Sequence, residues 1–174
     1  MCHLIKQAGF PPGVVNIING EVRANTVAMV MGDAPLLADW LSRNPYLLDY
    51  VLTDEFDKPV EDAKTMLADL QHSLTDADHF EHVLDITRRW TNDHKFRIGI
   101  QVLRGAIDSV AAGPGLSSVV ETVIKVLMPT VETEFAKQHG QVAGGTLSAI
   151  AYGKLGGREL MHGSDLDIVF VYGH

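Results

Sequence analysis

The stretch that most constrains this chain is residues 147–172, LSAIAYGKLGGRELMHGSDLDIVFVY. Residues 147–152 are a short apolar run, which predicts a buried strand. Residues 153–164 are a glycine-rich turn carrying Lys154 and Arg158. Residues 165–172 (DLDIVFVY) are β-branched and aromatic and predict a second strand that opens with two carboxylates. On a strand Asp165 and Asp167 share one face, and Leu166 points the other way, into a core. Two carboxylates about 6.5–7 Å apart along a strand make half of a Mg²⁺ site. That ion favours hard oxygen ligands and completes its shell with water and substrate phosphates.

The turn reads as a phosphate cradle. Gly153, Gly156 and Gly157 let the backbone approach a triphosphate and offer N–H groups to it. Ser164 adds a hydroxyl donor. Lys154 and Arg158 offset phosphate charge, with Glu159 or Asp165 as alternative partners for Arg158. His162 reads as a surface turn residue. No Gly-Lys-Ser/Thr ending is present, so this is not a Walker A loop.

A glycine, eleven residues and then Asp-x-Asp (Gly153, Asp165, Asp167) resembles the signature of the nucleotidyltransferase superfamily. The longer string GKLGGREL…GSDLDIVFVY resembles one branch, the glutamine synthetase adenylyltransferases. The resemblance implies that Asp165 and Asp167 hold Mg²⁺ against the phosphates of ATP. It implies in-line attack on the α-phosphorus by a tyrosine hydroxyl of glutamine synthetase, with pyrophosphate leaving. A nitrogen-regulatory signal protein is a further implied partner. The family has two related halves, one adenylylating and one removing AMP by phosphorolysis. The YGKLGG, SDLDI and PLLADWLSRNP wording resembles the adenylylating half, with the AMP-removing half as the alternative. The superfamily also uses a third carboxylate on a later strand, and the sequence stops at His174. The expectation is therefore a fragment of a catalytic half, inactive alone.

Composition narrows the alternatives. The 174 residues suffice for one domain with a core, or one domain and part of another. A composition 46% hydrophobic and 21% charged is that of an ordinary globular chain. The net charge of −8 argues against a nucleic-acid partner, which would need a basic face. The single cysteine, Cys2, excludes an internal disulfide framework and a multi-cysteine zinc site. No apolar run approaches the roughly 18 residues of a membrane span, and MCHLIKQAGF lacks the apolar core of a secretory signal. The expected location is cytoplasmic, with no membrane partner.

In chain order, residues 8–21 (AGFPPGVVNIINGE) resemble a stretch of the aldehyde dehydrogenases, but no G-x-G-x-x-G fingerprint occurs anywhere. Residues 1–21 therefore read as an arm foreign to the rest. Helical signals follow. Asp33 is an expected N-cap with Pro35 in the first turn, then Leu36, Leu37, Trp40 and Leu41 at helical spacing. Pro45 starts a short helix, and the pattern DAPLLADWLSRNPYLLDYVL also resembles the adenylyltransferases. Residues 53–60 read as a polar loop and residues 61–74 as an amphipathic helix. Residues 75–78 look like a cap for a long helix striped by Trp90, Phe96, Ile100, Leu103 and Ile107. His79 and His82 read as solvated rather than metal-binding. Arg88, Arg89, His94, Lys95 and Arg97 read as a solvated basic face, or by resemblance as phosphate contacts. Gly113-Pro-Gly115 is expected to break a helix, and Pro129 to kink or split the next one.

The predicted fold is thus a mainly α-helical part, residues 22–140, followed at residues 141–174 by the first strands of an α+β nucleotidyltransferase domain. Two rival readings are a helical interaction module whose acidic pair is structural, and an aldehyde dehydrogenase remnant.

Overall fold

A computed structural model describes residues 21–48, 51, 58–141 and 143–173. The arm at residues 1–20 and most of the polar loop at 53–60 lie outside the described residues. The architecture is the one expected, a helical part followed by two strands. The elements are α1 (Glu21–Asp33), α2 (Pro35–Arg43), a 3₁₀ turn (Pro45–Leu47), α3 (Ala63–Ser73), α4 (Phe80–Leu103), α5 (Ser109–His139), β1 (Thr146–Ala151), a single helical turn (Gly153–Gly156) and β2 (Ile168–Gly173).

The chain divides into two compact units. One takes Met1–Val60 with Lys95–Asp108, and the other takes Glu61–His94 with Ser109–His174. The described core of the first joins Val27, Val30, Leu37, Leu41, Leu47, Leu48, Val51, Phe96 and Ile100. Each such side chain, taken from water, contributes about 1.5–3 kcal/mol. Pro35 occupies the first turn of α2 as expected, where its missing N–H costs nothing. Asp33, however, is not the cap: it ends α1, and Ala34 caps α2 without any side-chain bond. With one residue between two helices, Asp33 is still held in helical backbone and is one place too early. Of the basic residues read as a solvated face, Arg88 and Arg89 are exposed as expected, whereas Lys95 is half-buried and Arg97 is buried. Arg97 is buried and reaches the Pro59 carbonyl at 3.4 Å. Lys95 lies 5.1 Å over the Trp40 ring, and burial lowers its pKa. Gln101 Nε2 donates to the Lys58 carbonyl at 2.6 Å.

In the second unit Asp62 caps α3. Its carboxylate accepts from the N–H groups of Lys64 (2.9 Å) and Thr65 (2.8 Å), and the Thr65 bond leads in lowering its pKa. Met66 and Leu70 form the buried face of α3, which packs on α5. Trp90 Nε1 donates to Asp69 Oδ2 at 2.6 Å, and the His94 ring lies 3.9 Å from the Trp90 ring. Asp78 Oδ1 takes both His79 Nδ1 (2.5 Å) and His82 Nδ1 (3.0 Å), which lowers its pKa to about 2.

Helix α5 overturns one expectation and removes one of two alternatives for another. Gly113-Pro-Gly115 does not break it, and Pro129 does not split it. Pro114 lies close to the start, and the carbonyl it leaves without a helical donor is that of Val110, a residue 82% exposed. At Pro129 the helix loses one N–H, and the hydroxyls of Thr130 and Thr133 bond the carbonyls of Val126 and Pro129. One 18-residue window of α5 reaches mean hydropathy 1.4, apolar enough by composition to cross a membrane, yet half of it is buried inside the protein. Packing on α3 accounts for the apolar residues on that side.

Strands β1 and β2 pair antiparallel, from Thr146 opposite Gly173 to Ala151 opposite Ile168. Three details differ from expectation, the first being that β1, expected to be buried, leaves Ile150 42% exposed. β2 begins at Ile168, so Asp165, Leu166 and Asp167 precede it in irregular backbone. Leu166 does not enter a core, being 49% exposed, and Phe170 is 58% exposed. Apolar alternation marks residues fit for burial; a two-stranded sheet does not itself supply the layer that buries them.

Candidate functional site

Hairpin register brings the two ends of the glycine–aspartate motif together. Beyond the Ala151–Ile168 pair, the N–H of Tyr152 donates to the Asp167 carbonyl at 2.8 Å. Gly153 therefore lies beside Asp167. Gly153 adopts φ +53°, and a Cβ built there collides with Asp167 Oδ2. The positive φ favours glycine, and the Asp167 carboxylate takes the space a Cβ would fill. The eleven-residue spacing is thus closed by strand pairing, and the Asp167 carboxylate lies over the Cα of Gly153.

Asp165 and Asp167 are exposed. Neither side-chain carboxylate has a hydrogen-bond or ion-pair partner among the described residues. Two unpaired carboxylates beside a tight backbone turn present the hard oxygen donors that Mg²⁺ takes. The residues present fit such an ion.

The rest of the turn is more internally occupied than the sequence reading held. The N–H of Gly156 donates to the Tyr152 carbonyl and that of Gly157 to the Gly153 carbonyl, both at 2.9 Å. These two N–H groups close the single helical turn and do not point outward to a phosphate. Gly156 has a separate reason to be glycine, because a Cβ would stand 2.7 Å from the Ala151 carbonyl oxygen. Leu155 and Leu160 are buried and anchor the turn on either side. Lys154 is exposed. Ser164 Oγ accepts from the Met161 N–H at 3.0 Å, and the Ser164 N–H returns a bond to the Met161 carbonyl at 3.0 Å. This leaves the Ser164 hydroxyl proton available to a ligand.

Arg158 pairs with neither Glu159 nor Asp165. It donates to Glu121 Oε1 (2.5 Å), Ser118 Oγ (2.7 Å) and the Pro114 carbonyl (3.2 Å), all on α5. Sequence reading missed Glu121 and Ser118. The available signal was the small-residue face of α5 at Gly113, Ser117 and Ser118, which admits another backbone.

Residues 24–174 match the family model of the glutamate-ammonia ligase adenylyltransferases. The chain belongs to this family. Among curated relatives it is 37% identical to the bifunctional glutamine synthetase adenylyltransferase/adenylyl-removing enzyme of Brucella suis, over 95% of the chain and 17% of that protein. The counterpart in Mesorhizobium japonicum is 35% identical over 96% of the chain and 17% of its own length. That of Xanthobacter autotrophicus is 35% identical over 84% and 15% respectively. The chain thus spans about a sixth of the length of the curated relatives it matches. A match over 95% of the chain also takes in part of residues 1–21, the stretch that reads as foreign in sequence.

Proposed function

We propose that this chain supplies part of the nucleotide site of an enzyme that transfers AMP from ATP to a tyrosine of glutamine synthetase. The observation that carries the reading is the unpartnered carboxylate of Asp167, held beside Gly153 by the hairpin pairing, with the exposed and unpartnered carboxylate of Asp165 two residues before it. Family membership supplies the reaction class.

Asp165 and Asp167 would hold Mg²⁺, which supplies charge neutralisation at the ATP phosphates when bound. Gly153 keeps the backbone low enough for Asp167 to lie against it. Lys154 would offset phosphate charge, and the Ser164 hydroxyl would donate to a phosphate oxygen. These groups orient the nucleotide and stabilise charge that develops on its oxygens; such positioning is the main source of rate in phosphoryl chemistry. The site works in the cytoplasm on a protein acceptor, in keeping with the acidic net charge of −8. A second reading, removal of AMP by phosphorolysis, has one observation behind it: the relatives' own names combine both activities.

The test is transfer of labelled AMP to glutamine synthetase by the full-length polypeptide that contains this segment. Asp165→Asn and Asp167→Asn should each abolish incorporation, with the melting temperature nearly unchanged. Incorporation at the unmodified rate by either variant contradicts the proposal.

A further inference from the structure

We infer that Arg158 is a positioning residue: it pins the glycine-rich turn to helix α5 and so sets the carboxylates that follow, instead of binding a phosphate. The inference deepens the reading above and rests on it for the role of Asp165 and Asp167.

Three observations carry it. The guanidinium makes three bonds to α5, to Glu121, Ser118 and the carbonyl of Pro114, residues 37 to 44 positions away in sequence. That use of the planar fork is specific to arginine. The backbone beneath it is equally committed. Arg158 holds φ +57°, the sole non-glycine residue at positive φ among the described residues. A Cβ added at Gly113 would stand 3.0 Å from the Arg158 carbonyl oxygen and 3.2 Å from Glu159 Cα, so the turn lies directly on the helix at a position kept open for it. Gly113 therefore serves close contact, not the helix break that its pairing with Pro114 suggests.

The consequence is electrostatic as well as steric. An arginine seven residues before Asp165 is a ready counter-ion for it. With its charge spent on Glu121, Asp165 stays unpaired. The link also fixes the start of residues 158–167, which are held further along by the Met161–Ser164 bonds and at the far end by the Tyr152–Asp167 bond.

Two conservative variants separate positioning from phosphate binding. Arg158→Lys keeps the positive charge and the same backbone demand but cannot make the three-way contact. Glu121→Gln alters a group that no phosphate would use. Hydrogen exchange at residues 156–164 and Mn²⁺ binding by electron paramagnetic resonance would be followed in the chain, with helix content checked by circular dichroism. Both variants should speed exchange of the turn at least tenfold and weaken Mn²⁺ binding at least fivefold, with helix content retained. The double variant should be no worse than the poorer single one. Unchanged exchange in either variant overturns the inference, as does faster exchange with unaltered Mn²⁺ affinity. Failure of the unmodified chain to bind Mn²⁺, with exchange accelerated in both variants, would sink the carboxylate reading and leave the docking of the turn in place.

Discussion

In the unit built from Met1–Val60 and Lys95–Asp108, the side chains of Val30, Leu41, Leu47, Phe96 and Ile100 are fully enclosed. In the hairpin of the other unit, Val169, Phe170, Val171 and Tyr172 remain about half open to solvent. The first region is held by apolar burial, where shape and volume decide and many substitutions of like size are tolerated. The hairpin is held by register, by glycines where a Cβ would collide, and by one arginine. Burial fixes a region against unfolding. The hairpin devices fix a few atoms against one another, which is what a charged site needs, while leaving its carboxylates wet.

The largest expected effect follows from that contrast. Phe96→Ala removes a fully buried ring and should cost about 3–5 kcal/mol. Phe170→Ala, on the open strand, should cost no more than about 1 kcal/mol. Urea denaturation of the two variants checks this, and similar losses would break the comparison.

Next come the glycines within the turn. Gly153→Ala meets positive φ and the Asp167 carboxylate together, and should cost about 1–3 kcal/mol, read as faster exchange in the hairpin. Gly157→Ala meets its nearest atoms at 3.5 Å, an ordinary contact. It should stay within about 0.5 kcal/mol of the parent. If the two behave alike, the steric account of the turn is wrong.

A smaller effect is expected at Trp90→Phe, which keeps an aromatic ring but loses the 2.6 Å bond to Asp69; the loss should be about 1 kcal/mol. The smallest is a pH effect. Bonds from His82 and His79 hold the Asp78 carboxyl at about 2, below its ordinary 3.8. A lowered pKa in the folded state adds stability that is fully present above 3.8 and is lost as pH falls through about 2. Melting curves between pH 2 and 5 should show Asp78→Asn losing this part of the slope. Its high exposure keeps the effect slight.

Much of this was legible in the sequence. Period-3.6 apolar spacing located α2, α3 and α4 to within a few residues, and the strand–turn–strand motif was visible because β-branched runs flank a glycine cluster. The partner of Arg158 was not legible, since side-chain pairing over 37 positions leaves no periodic trace. Nor was the purpose of Gly113: a glycine beside a proline carries the local signature of a break, and its actual reason lies in a backbone arriving from residues 158–159. Exposure of the strands was hidden as well, because an apolar pattern reads the same whether or not a layer covers it. β2 starts at Ile168 and not at Asp165 because the paired register ends at Ala151–Ile168, beyond which the Tyr152–Asp167 bond is the one that continues the ladder.

The central proposal is that Asp167, set beside Gly153 by the hairpin pairing, and Asp165 two residues before it form a divalent-cation site for ATP. Its most direct test is Mn²⁺ binding, with and without ATP, measured by electron paramagnetic resonance on the chain and on Asp165→Asn and Asp167→Asn. The account predicts binding that ATP strengthens and that each substitution weakens at least tenfold, with helix content unchanged. Equal Mn²⁺ binding by the parent and both variants would contradict it.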